Sequence, residues 1–333
     1  MEKVSIIGAG GWGTALSVHL SRKGFPVFLW ERFPEYAKEL SQERENYKFL
    51  PGIKIPLSIH ITSSLEEALK EAEMIIIAVP SRYFRSVIKE FKSYPKQALF
   101  ISVTKGIEEE SLKRMTEILK EELGVERVGA LSGPSHAEEV ARFLPTAVVA
   151  SSEDKEIARA IQEIFMAPNL RVYTNSDLKG VELGGALKNI IAISCGISDG
   201  LGFGDNAKAA LMTRGMVEIT RLGVSMGARP STFWGLAGIG DLIVTCTSSF
   251  SRNRWLGERI GKGEKLSSVE EKMEMVAEGV PTTRSAMRLA EKYGVEMPIT
   301  RAVYQILFEG KNPKEGVVEL MERTAREEED FKG

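Results

Sequence analysis

The strongest constraint on the fold is a glycine-rich turn near the start of the chain. Residues 8–13 read GAGGWG and match the pattern G-x-G-x-x-G, directly after an apolar run and at the start of a helix-like segment. In a strand–turn–helix unit, Gly8 permits the tight turn, Gly10 lets a pyrophosphate approach the backbone, and Gly13 lets the helix pack closely on the strand. The helix N-terminus adds free N–H groups and about half a positive charge. A purely structural glycine turn is the alternative, but the flanking strand and helix favour a dinucleotide site.

Short apolar runs alternate with helix-like segments through the first half of the chain. The apolar runs are residues 4–7, 27–30, 74–79, 98–103, 128–131 and 147–150, and helix-like segments include residues 14–22, 66–71, 82–91 and 111–123. Apolar runs without polar alternation suit strands that are buried on both faces, and alternation with helices implies a parallel sheet. The pattern therefore predicts a Rossmann-like doubly wound sheet.

The pattern changes near Thr174, where the apolar spacing becomes that of helices. The expected helices are residues 181–197, 206–225, 269–277, 282–292 and 299–308, and Ser267 is the expected N-cap of the third of these. The sequence therefore predicts the α/β class, with two domains. Residues 1–176 form a Rossmann-like dinucleotide-binding domain, and residues 177–333 form an all-α C-terminal domain for substrate binding and catalysis.

Composition argues against several classes of function. The 333 residues carry a formal net charge of −2, so the chain lacks the electrostatic footprint for nucleic acid or an anionic membrane. No apolar run approaches the ~20 residues of a membrane helix, and no signal-peptide pattern is evident. Cys195 and Cys246 are too few for a disulfide framework, which fits a reducing cytoplasm. Because His19, His60 and His136 are scattered, we expect no metal site.

The residues after the second apolar run bear on the choice of cofactor. Glu31 lies where an acidic residue binds the adenosine ribose hydroxyls of NAD. Arg32 beside it can pair with the 2′-phosphate of NADP or remain a solvated surface charge. The two signals conflict, so the sequence leaves NAD and NADP both open.

A lysine is the best candidate for the proton transfer that accompanies hydride transfer at a secondary alcohol. Gly184 and Gly185 precede Lys188 by four and three residues, so the three share one helix face. Glycine inside a helix costs about 0.5–1 kcal/mol relative to alanine, so we expect the nicotinamide or the α/β domain to approach this face closely. An ordinary surface lysine is the alternative, which the flanking Leu187 and Ile190 argue against.

Two further residues are weaker candidates for the chemistry. Lys105 lies just past a predicted strand, and ligands in open α/β sheets bind outside the carboxyl ends of strands. It can polarise the substrate oxygen or be an ordinary loop lysine. His136 lies in a loop that follows Gly133-Pro134-Ser135, but its sequence neighbours offer no obvious orienting carboxylate.

A polar cluster in the second half suits a phosphate group. Ser251, Arg252 and Asn253 place a hydroxyl, a guanidinium and an amide side by side, and arginine makes bidentate bonds to phosphate. A polar helix N-terminus is the alternative interpretation of this triplet. Asp241 lies upstream, where a carboxylate near Lys188 orients the lysine or binds substrate hydroxyls.

Taken together, these segments resemble one family, the bacterial NAD(P)-dependent glycerol-3-phosphate dehydrogenases, from Gly8 to about Arg323. The segments that carry the resemblance are GAGGWGTAL at 8–16, VPSRYFR at 79–85, TKGIE at 104–108, SGPSHAEE at 132–139, ELGGALKNIIAI at 182–193, SDGLGFGDNAKAALMTRG at 198–215, LAGIGDLIVTCTSSFSRNR at 236–254 and VAEGV at 276–280. Related β-hydroxyacid dehydrogenases share the glycine motif and a helix lysine but lack the long GDLIVTCTSSFSRNR run.

The resemblance implies which residues form the site. Lys188 matches the proton acceptor. The positions that contact glycerol phosphate are matched by Lys105, Gly133, Ser135, Lys188, Asp241, Ser251, Arg252 and Asn253. Beside the turn residues Gly8, Gly10 and Gly13, the positions that contact the dinucleotide are matched by Gly11, Trp12, Arg32, Phe49, Lys105, Ala137, Arg252, Val276 and Glu278. The family often has a small or neutral residue where this chain has Glu31, which leaves room for NAD beside NADP.

The resemblance also implies a function. It is the reversible, NADPH- or NADH-dependent reduction of dihydroxyacetone phosphate to sn-glycerol 3-phosphate, which supplies glycerophospholipid synthesis. The implied enzyme is a cytoplasmic homodimer with a small-molecule substrate, no nucleic-acid partner and no membrane span. Because Arg252 would bind either anion, a dehydrogenase for another phosphorylated or carboxylated alcohol is the alternative among enzymes. A nucleotide-binding sensor without chemistry is the alternative outside them.

Overall fold

The structure is a computed structural model that describes residues 2–91, 93–325 and 327–328. The chain divides into two compact units. The sheet unit comprises residues 1–106 and 113–182, and the helical unit comprises residues 107–112 and 183–333. The outer ends of the two predicted domains, residue 1 and residues 329–333, lie outside the described residues.

Eight strands form the main sheet of the sheet unit. They are β1 (Val4–Ile7), β2 (Val27–Trp30), β5 (His60–Thr62), β6 (Met74–Ile77), β7 (Leu99–Ser102), β8 (Val128–Ser132), β9 (Thr146–Ser151) and β10 (Leu170–Asn175), and β3 (Glu45–Asn46) with β4 (Leu50–Lys54) forms a separate hairpin. The strand order is β10-β9-β8-β7-β6-β1-β2-β5. Its part from β5 to β8 has the 3-2-1-4-5-6 order of a doubly wound dinucleotide-binding sheet. The predicted α/β class is thus confirmed.

Helices of the sheet unit connect these strands. They are α1 (Gly11–Arg22), α2 (Pro34–Glu43), α3 (Leu65–Leu69), α4 (Ser81–Lys89), α5 (Met115–Leu123), α6 (Ala137–Ala141) and α7 (Lys155–Phe165). Successive residues of β1 face different clusters, because Val4 and Ile6 pack in one hydrophobic cluster while Ile7 packs in another. Both faces of the sheet are therefore covered, which explains why its strands read as unbroken apolar runs.

The sheet is mostly parallel, as predicted, and one strand pair departs from this direction. β9 pairs with β8 in the antiparallel direction, with Ala130 opposite Ser151. The link between the two strands contains only the short helix α6, which packs against α1. β9 therefore begins at the same end of the sheet at which β8 ends. A parallel strand would need a longer connection that crosses back to the opposite end.

The helical unit is built around one long buried helix. Its helices are α8 (Leu178–Gly200), whose first residues up to Glu182 belong to the sheet unit, α9 (Asp205–Ser225), α10 (Pro230–Phe233), α11 (Asp241–Thr247), α12 (Arg252–Gly261), α13 (Leu266–Glu271), α14 (Gly279–Tyr293), α15 (Pro298–Phe308) and α16 (Pro313–Met321). A π-helix, Leu236–Gly240, directly precedes α11. The predicted all-α character of this part of the chain agrees with these elements.

Glycines let α8 and α12 pack backbone against backbone. A Cβ atom on Gly257 would overlap the carbonyl oxygen of Ile193, and one on Gly196 would overlap the carbonyl oxygen of Arg254. Side chains at these positions would force the helices apart. The close approach brings the start of α12, with Arg252, next to the middle of α8.

The prediction of a helix over residues 269–277 is largely wrong. α13 ends at Glu271, and its N-cap is Lys265, so Ser267 lies inside the helix rather than capping it. The apolar spacing that suggested a longer helix has another cause, because Met273 and Ala277 pack into the core of the helical unit from an irregular segment.

One described helix, α8, is long and apolar enough to cross a membrane by length and composition, and the qualifying stretch is buried inside the protein. Core helices of water-soluble proteins commonly pass the same test, so α8 is weak support for a membrane span.

Candidate active site

The glycine turn joins β1 to α1 by close backbone contacts. Gly8 has φ +115°, a conformation that L side chains rarely adopt, and its amide donates to the carbonyl of Trp30 at 3.1 Å. A Cβ atom on Gly13 would overlap the carbonyl oxygen of Gly8. Gly8 therefore makes the turn beside the end of β2, and Gly13 lets α1 start directly against it.

The N-terminus of α1 fits an anionic group. Apart from Gly10 and its two chain neighbours, no described heavy atom lies within 4 Å of the place that a Cβ atom on Gly10 would take. Gly10 is also the N-cap, and it provides no side chain to satisfy the first amides of the helix. The buried indole Nε1 of Trp12 has no hydrogen-bond partner among the described residues. Open space, unsatisfied helix amides and an orphaned indole N–H suit a pyrophosphate.

Two more of the expected cofactor residues lie against this helix. A Cβ atom on Gly11 would stand 2.6 Å from the carbonyl oxygen of Phe49 and 3.7 Å from the Cβ atom of Ala137. Phe49 belongs to the turn of the β3–β4 hairpin, and Ala137 begins α6. The structure thus brings Gly11, Phe49 and Ala137 together although they are far apart in the chain.

A residue missed by the sequence reasoning, Asn46, holds the hairpin in place. Its buried amide donates to the carbonyl of Ala9 at 2.8 Å and to Thr14 Oγ1 at 2.7 Å. Its Oδ1 accepts from the amide of Phe49 at 3.1 Å. The chain pattern around Asn46 carries no signal for this role, since the partners are set by the tertiary fold.

The residues that bear on cofactor choice lie just after β2. Glu31 is buried, and its carboxylate accepts from the amide of Phe33 at 3.0 Å. Burial raises the pKa of the Glu31 carboxyl, against opposing contributions from backbone amides and Lys48. Arg32 is exposed, and its guanidinium pairs with Glu90 at 3.0 Å.

Lys105, Gly133 and Ser135 come together at the carboxyl edge of neighbouring strands β7 and β8. The ammonium of Lys105 donates to the carbonyl of Gly133 at 2.8 Å and to Ser135 Oγ at 3.4 Å. Thr104, which the sequence reasoning did not single out, donates to the carbonyl of Val79 at 2.7 Å. This bond fixes the Lys105 loop to the chain after β6. Three of the expected substrate residues thus form one polar cluster in the sheet unit.

The helical unit contains a buried lysine–aspartate pair. Lys188, on α8, is 6% exposed, and Asp241, at the start of α11, is 1% exposed. Lys188 Nζ donates to Asp241 Oδ1 at 2.9 Å and to Thr245 Oγ1 at 2.6 Å. The Thr245 hydroxyl donates to the carbonyl of Asp241 at 2.6 Å, so its lone pair faces the ammonium. The arrangement fixes the amine at one point, as proton transfer requires.

The segment that approaches Gly184 differs from the one that the sequence predicts. A Cβ atom there would stand 2.5 Å from the carbonyl oxygen of Ala237, in the π-helix. The sequence predicts the nicotinamide or the α/β domain at this face, whereas the neighbour of Gly184 is the backbone of the π-helix. Gly184 precedes Lys188 by four residues, as Ala237 precedes Asp241. The close approach of the two segments therefore sets the lysine–aspartate distance, and π-turns are frequent at functional sites.

Buried amides connect the Lys188 helix to the predicted phosphate cradle. Asn253 Nδ2 donates to Asn189 Oδ1 at 2.9 Å, and Asn253 Oδ1 accepts from the amide of Gly279 at 2.9 Å. Because Asn189 follows Lys188 and Asn253 follows Arg252, this bond holds the two charged residues in one region of the helical unit. Asn189 directly follows Lys188, and its sequence neighbours carry no signal for this bond.

The members of the cradle differ in exposure. Arg252 is exposed, and its guanidinium donates to the carbonyl of Val276 at 3.3 Å, two residues before Glu278. Ser251 is buried, and its hydroxyl accepts from the amide of Arg254 at 3.2 Å as the N-cap of α12. Of this triplet, Arg252 is the member that the solvent reaches, while Ser251 and Asn253 shape the helix start.

The two cysteines and three histidines do not belong to the clusters described above. Cys195 and Cys246 are buried free thiols, His19 bonds to the carbonyl of Phe165 at 2.8 Å, and His60 pairs with exposed Glu67. His136 is the N-cap residue of α6. No group of three or more His, Cys, Asp or Glu among the residues described is placed to hold a metal ion.

Two family models match the chain, one over each half. The model of the NAD-dependent glycerol-3-phosphate dehydrogenase N-terminus matches residues 3–158, and that of its C-terminus matches residues 177–318. The chain belongs to the NAD-dependent glycerol-3-phosphate dehydrogenase family. The resemblance seen in the sequence motifs is thereby confirmed.

Several glycerol-3-phosphate dehydrogenases are similar to this chain over nearly its whole length. A glycerol-3-phosphate dehydrogenase of the NAD(P)+ type from Pelotomaculum thermopropionicum is 54% identical over 325 residues, which are 96% of this chain and 93% of that protein. One from Thermoanaerobacter sp. is 52% identical, and the match covers 98% of each chain. The crystal structure of glycerol-3-phosphate dehydrogenase from Coxiella burnetii has a TM-score of 0.94 and 39% identity, and covers 97% of this chain and 99% of that one.

Proposed function

We propose that this protein is an NAD(P)H-dependent oxidoreductase that reversibly reduces dihydroxyacetone phosphate to sn-glycerol 3-phosphate. The similar proteins from Pelotomaculum and Thermoanaerobacter carry the name of this activity. In this assignment residues 1–176 bind the dinucleotide and residues 177–333 bind the substrate and carry the catalytic lysine.

The observation that carries the proposal is the buried contact of Lys188 with Asp241 and Thr245. Taking two charges out of water costs several kcal/mol per ion, and hydrophobic replacements of such pairs are often equally stable. A buried ion pair is therefore weak support for a role in stability alone. A role in proton transfer gives a reason for an amine held rigidly at this point of a dehydrogenase fold.

The chemistry divides between the cofactor and the protein. When bound, the reduced nicotinamide supplies the hydride that C2 of the ketone accepts. Lys188 gives a proton from Nζ to the developing C2 alkoxide, so that the carbonyl becomes a hydroxyl, and it removes that proton in the oxidative direction. Asp241 and Thr245 orient the amine. Lys105 stabilises the alkoxide electrostatically.

Arg252 is assigned to the phosphate of the substrate. Its guanidinium is exposed and lies at the first turn of α12, where helix amides add positive potential. Charge-assisted bonds to a dianion at this place bind the end of the substrate that does not react, and this binding positions the ketone. Ser251 and Asn253 support the cradle by fixing the start of the helix.

The remaining assignments follow the family. The dinucleotide contacts are Gly8, Gly10, Gly11, Trp12, Gly13, Arg32, Phe49, Lys105 and Ala137, with Arg252, Val276 and Glu278 from the helical unit, and Gly133 and Ser135 join Lys105 at the substrate. We further propose a cytoplasmic homodimer whose product supplies glycerophospholipid synthesis.

Steady-state turnover tests the proposal. NADH and NADPH oxidation are followed separately with dihydroxyacetone phosphate, with dihydroxyacetone, and with ketones that carry a carboxylate in place of the phosphate. We expect turnover with dihydroxyacetone phosphate and a large loss of kcat/KM without the phosphate. Faster turnover of a carboxylated ketone would assign another substrate, and dinucleotide binding without turnover of any ketone would indicate a sensor.

A further inference from the structure

A buried carboxylate belongs to the residue that follows β2, the strand whose end contacts the glycine turn. The Gly8 amide bonds to the carbonyl of Trp30, the last residue of β2, and Glu31 follows at once. Glu31 is 7% exposed, and the amide of Phe33 fixes its carboxylate at 3.0 Å. In doubly wound folds an acidic residue at this place accepts hydrogen bonds from the adenosine ribose hydroxyls.

The guanidinium next to it already has a countercharge. Arg32 Nη2 donates to Glu90 Oε1 at 3.0 Å, and Glu90 directly follows α4. Both side chains are about half exposed, at 50% and 45%. A 2′-phosphate that uses Arg32 must therefore share the guanidinium with Glu90 or displace it, which lowers the gain from binding it.

A second cation, Lys48, lies close enough to act on Glu31, and it is exposed on the β3–β4 turn. The charges around the β2 end thus include two cations, Arg32 and Lys48, and two carboxylates, Glu31 and Glu90. A phosphate monoester adds about 1.5–2 negative charges. Placed beside the buried carboxylate, it meets like-charge repulsion without surplus positive charge, whereas a ribose hydroxyl donates a hydrogen bond there.

We propose that this protein selects NADH over NADPH, that Glu31 discriminates between them, and that Glu90 is a positioning residue which keeps Arg32 from a 2′-phosphate. The inference rests on the proposed binding of the dinucleotide at the Gly8–Gly13 turn.

Binding of the adenosine half alone tests this selectivity without turnover. Calorimetric titration of the full chain with ADP-ribose and with 2′-phospho-ADP-ribose gives the two dissociation constants. We expect ADP-ribose to bind at least about tenfold more tightly. Glu31→Ser should abolish or reverse this ratio. Glu90→Gln should tighten 2′-phospho-ADP-ribose severalfold and leave ADP-ribose unchanged, because it frees Arg32.

Glu35→Gln is the matched control, since it removes one exposed negative charge from the first turn of α2 and should leave the ratio unchanged. Equal or tighter binding of 2′-phospho-ADP-ribose by the unmodified protein overturns the proposal. So does an unchanged ratio in Glu31→Ser. If that variant does not fold, an unchanged affinity of Glu90→Gln for 2′-phospho-ADP-ribose overturns the role of the ion pair. Failure to bind either ligand, or NADH, instead refutes dinucleotide binding, and with it the proposed function.

Discussion

The ammonium of Lys188 lies 2.9 Å from Asp241 Oδ1, inside the helical unit, although the two residues are 53 positions apart in the chain. Both side chains are almost inaccessible to solvent, and the Thr245 hydroxyl completes the contact. A chemical role for this pair and a purely structural one predict different consequences of mutation.

Replacing Lys188 with alanine should lower kcat by about a hundredfold to ten-thousandfold, because general acid–base catalysis is lost. The affinity for NADH should barely change. Loss of the amine also leaves the Asp241 carboxylate buried without its cation, so we expect stability to fall by about 3–5 kcal/mol. Turnover, NADH titration and urea unfolding measure these effects.

The double variant Lys188→Met/Asp241→Asn separates the two roles. It removes both charges, so it should recover much of the lost stability while remaining inactive. Lys292→Ala, at an exposed lysine of α14, is the control and should leave both quantities unchanged. Near-normal turnover in either Lys188 variant would show that another group transfers the proton.

Alanine at two glycines of the turn should have opposite consequences. Gly13→Ala puts a methyl group onto the carbonyl of Gly8, and we expect it to cost about 1–3 kcal/mol of stability. Gly10→Ala meets open space, so stability should stay within about 0.5 kcal/mol. The same methyl group should weaken NADH binding at least about tenfold, since it occupies the place of the pyrophosphate. Unchanged NADH affinity in a folded Gly10→Ala protein would place the cofactor elsewhere.

Alanine substitutions at the adjacent residues Arg252 and Asn253 should affect different properties, substrate binding for Arg252 and stability for Asn253. Arg252→Ala should raise KM for dihydroxyacetone phosphate about tenfold to a hundredfold through lost charge-assisted bonds, with little change in melting temperature. Arg252→Lys should restore part of the affinity, because lysine keeps the charge but not the bidentate geometry. A KM that is insensitive to Arg252→Ala would contradict its assignment to the phosphate.

Asn253→Ala should act through stability. It leaves the Gly279 amide and Asn189 without the buried bonds that the structure shows, at a cost of about 1–3 kcal/mol. Chemical denaturation together with KM measurements distinguishes Asn253→Ala from Arg252→Ala. A stable Asn253→Ala protein with a raised KM would instead assign Asn253 to direct contact with the phosphate.

The buried carboxylate of Glu218 should make stability depend on pH. It accepts from the amides of Ile299 and Thr300 at 2.6 and 3.1 Å, at the start of α15. Burial raises its pKa from 4.5 to about 7. Between these values the folded state binds more protons than the unfolded state, so the free energy of unfolding should fall as pH rises, by about 3 kcal/mol at most, and then level off.

Urea unfolding at a series of pH values measures this slope. Other buried carboxyls with raised pKa, such as Glu31 and Glu182, contribute in the same direction, so the comparison with Glu218→Gln isolates Glu218. The variant cannot titrate at this position, and its slope should be shallower. An identical slope in both proteins would mean that Glu218 does not titrate in this range.

Much of the sheet unit could be predicted because its signals are local. The apolar runs of β1 and β2 coincide with the strands, and the spacing of Gly8, Gly10 and Gly13 carries its own geometric reason. β10 was missed, since its exposed Tyr173 and Arg171 interrupt the apolar pattern. Sequence patterns are informative where one segment decides its own conformation.

The fold class, the family and the identity of the candidate lysine can all be predicted from the amino-acid sequence, because they depend on local periodicity and on residue types in unbroken segments. Only the three-dimensional packing shows which groups Lys188 contacts, why residue 184 must be glycine, and that Asn253 bonds to Asn189. The physical reason is that these contacts arise from backbone approach between helices far apart in the chain. No spacing within a single segment specifies the distance between two helices.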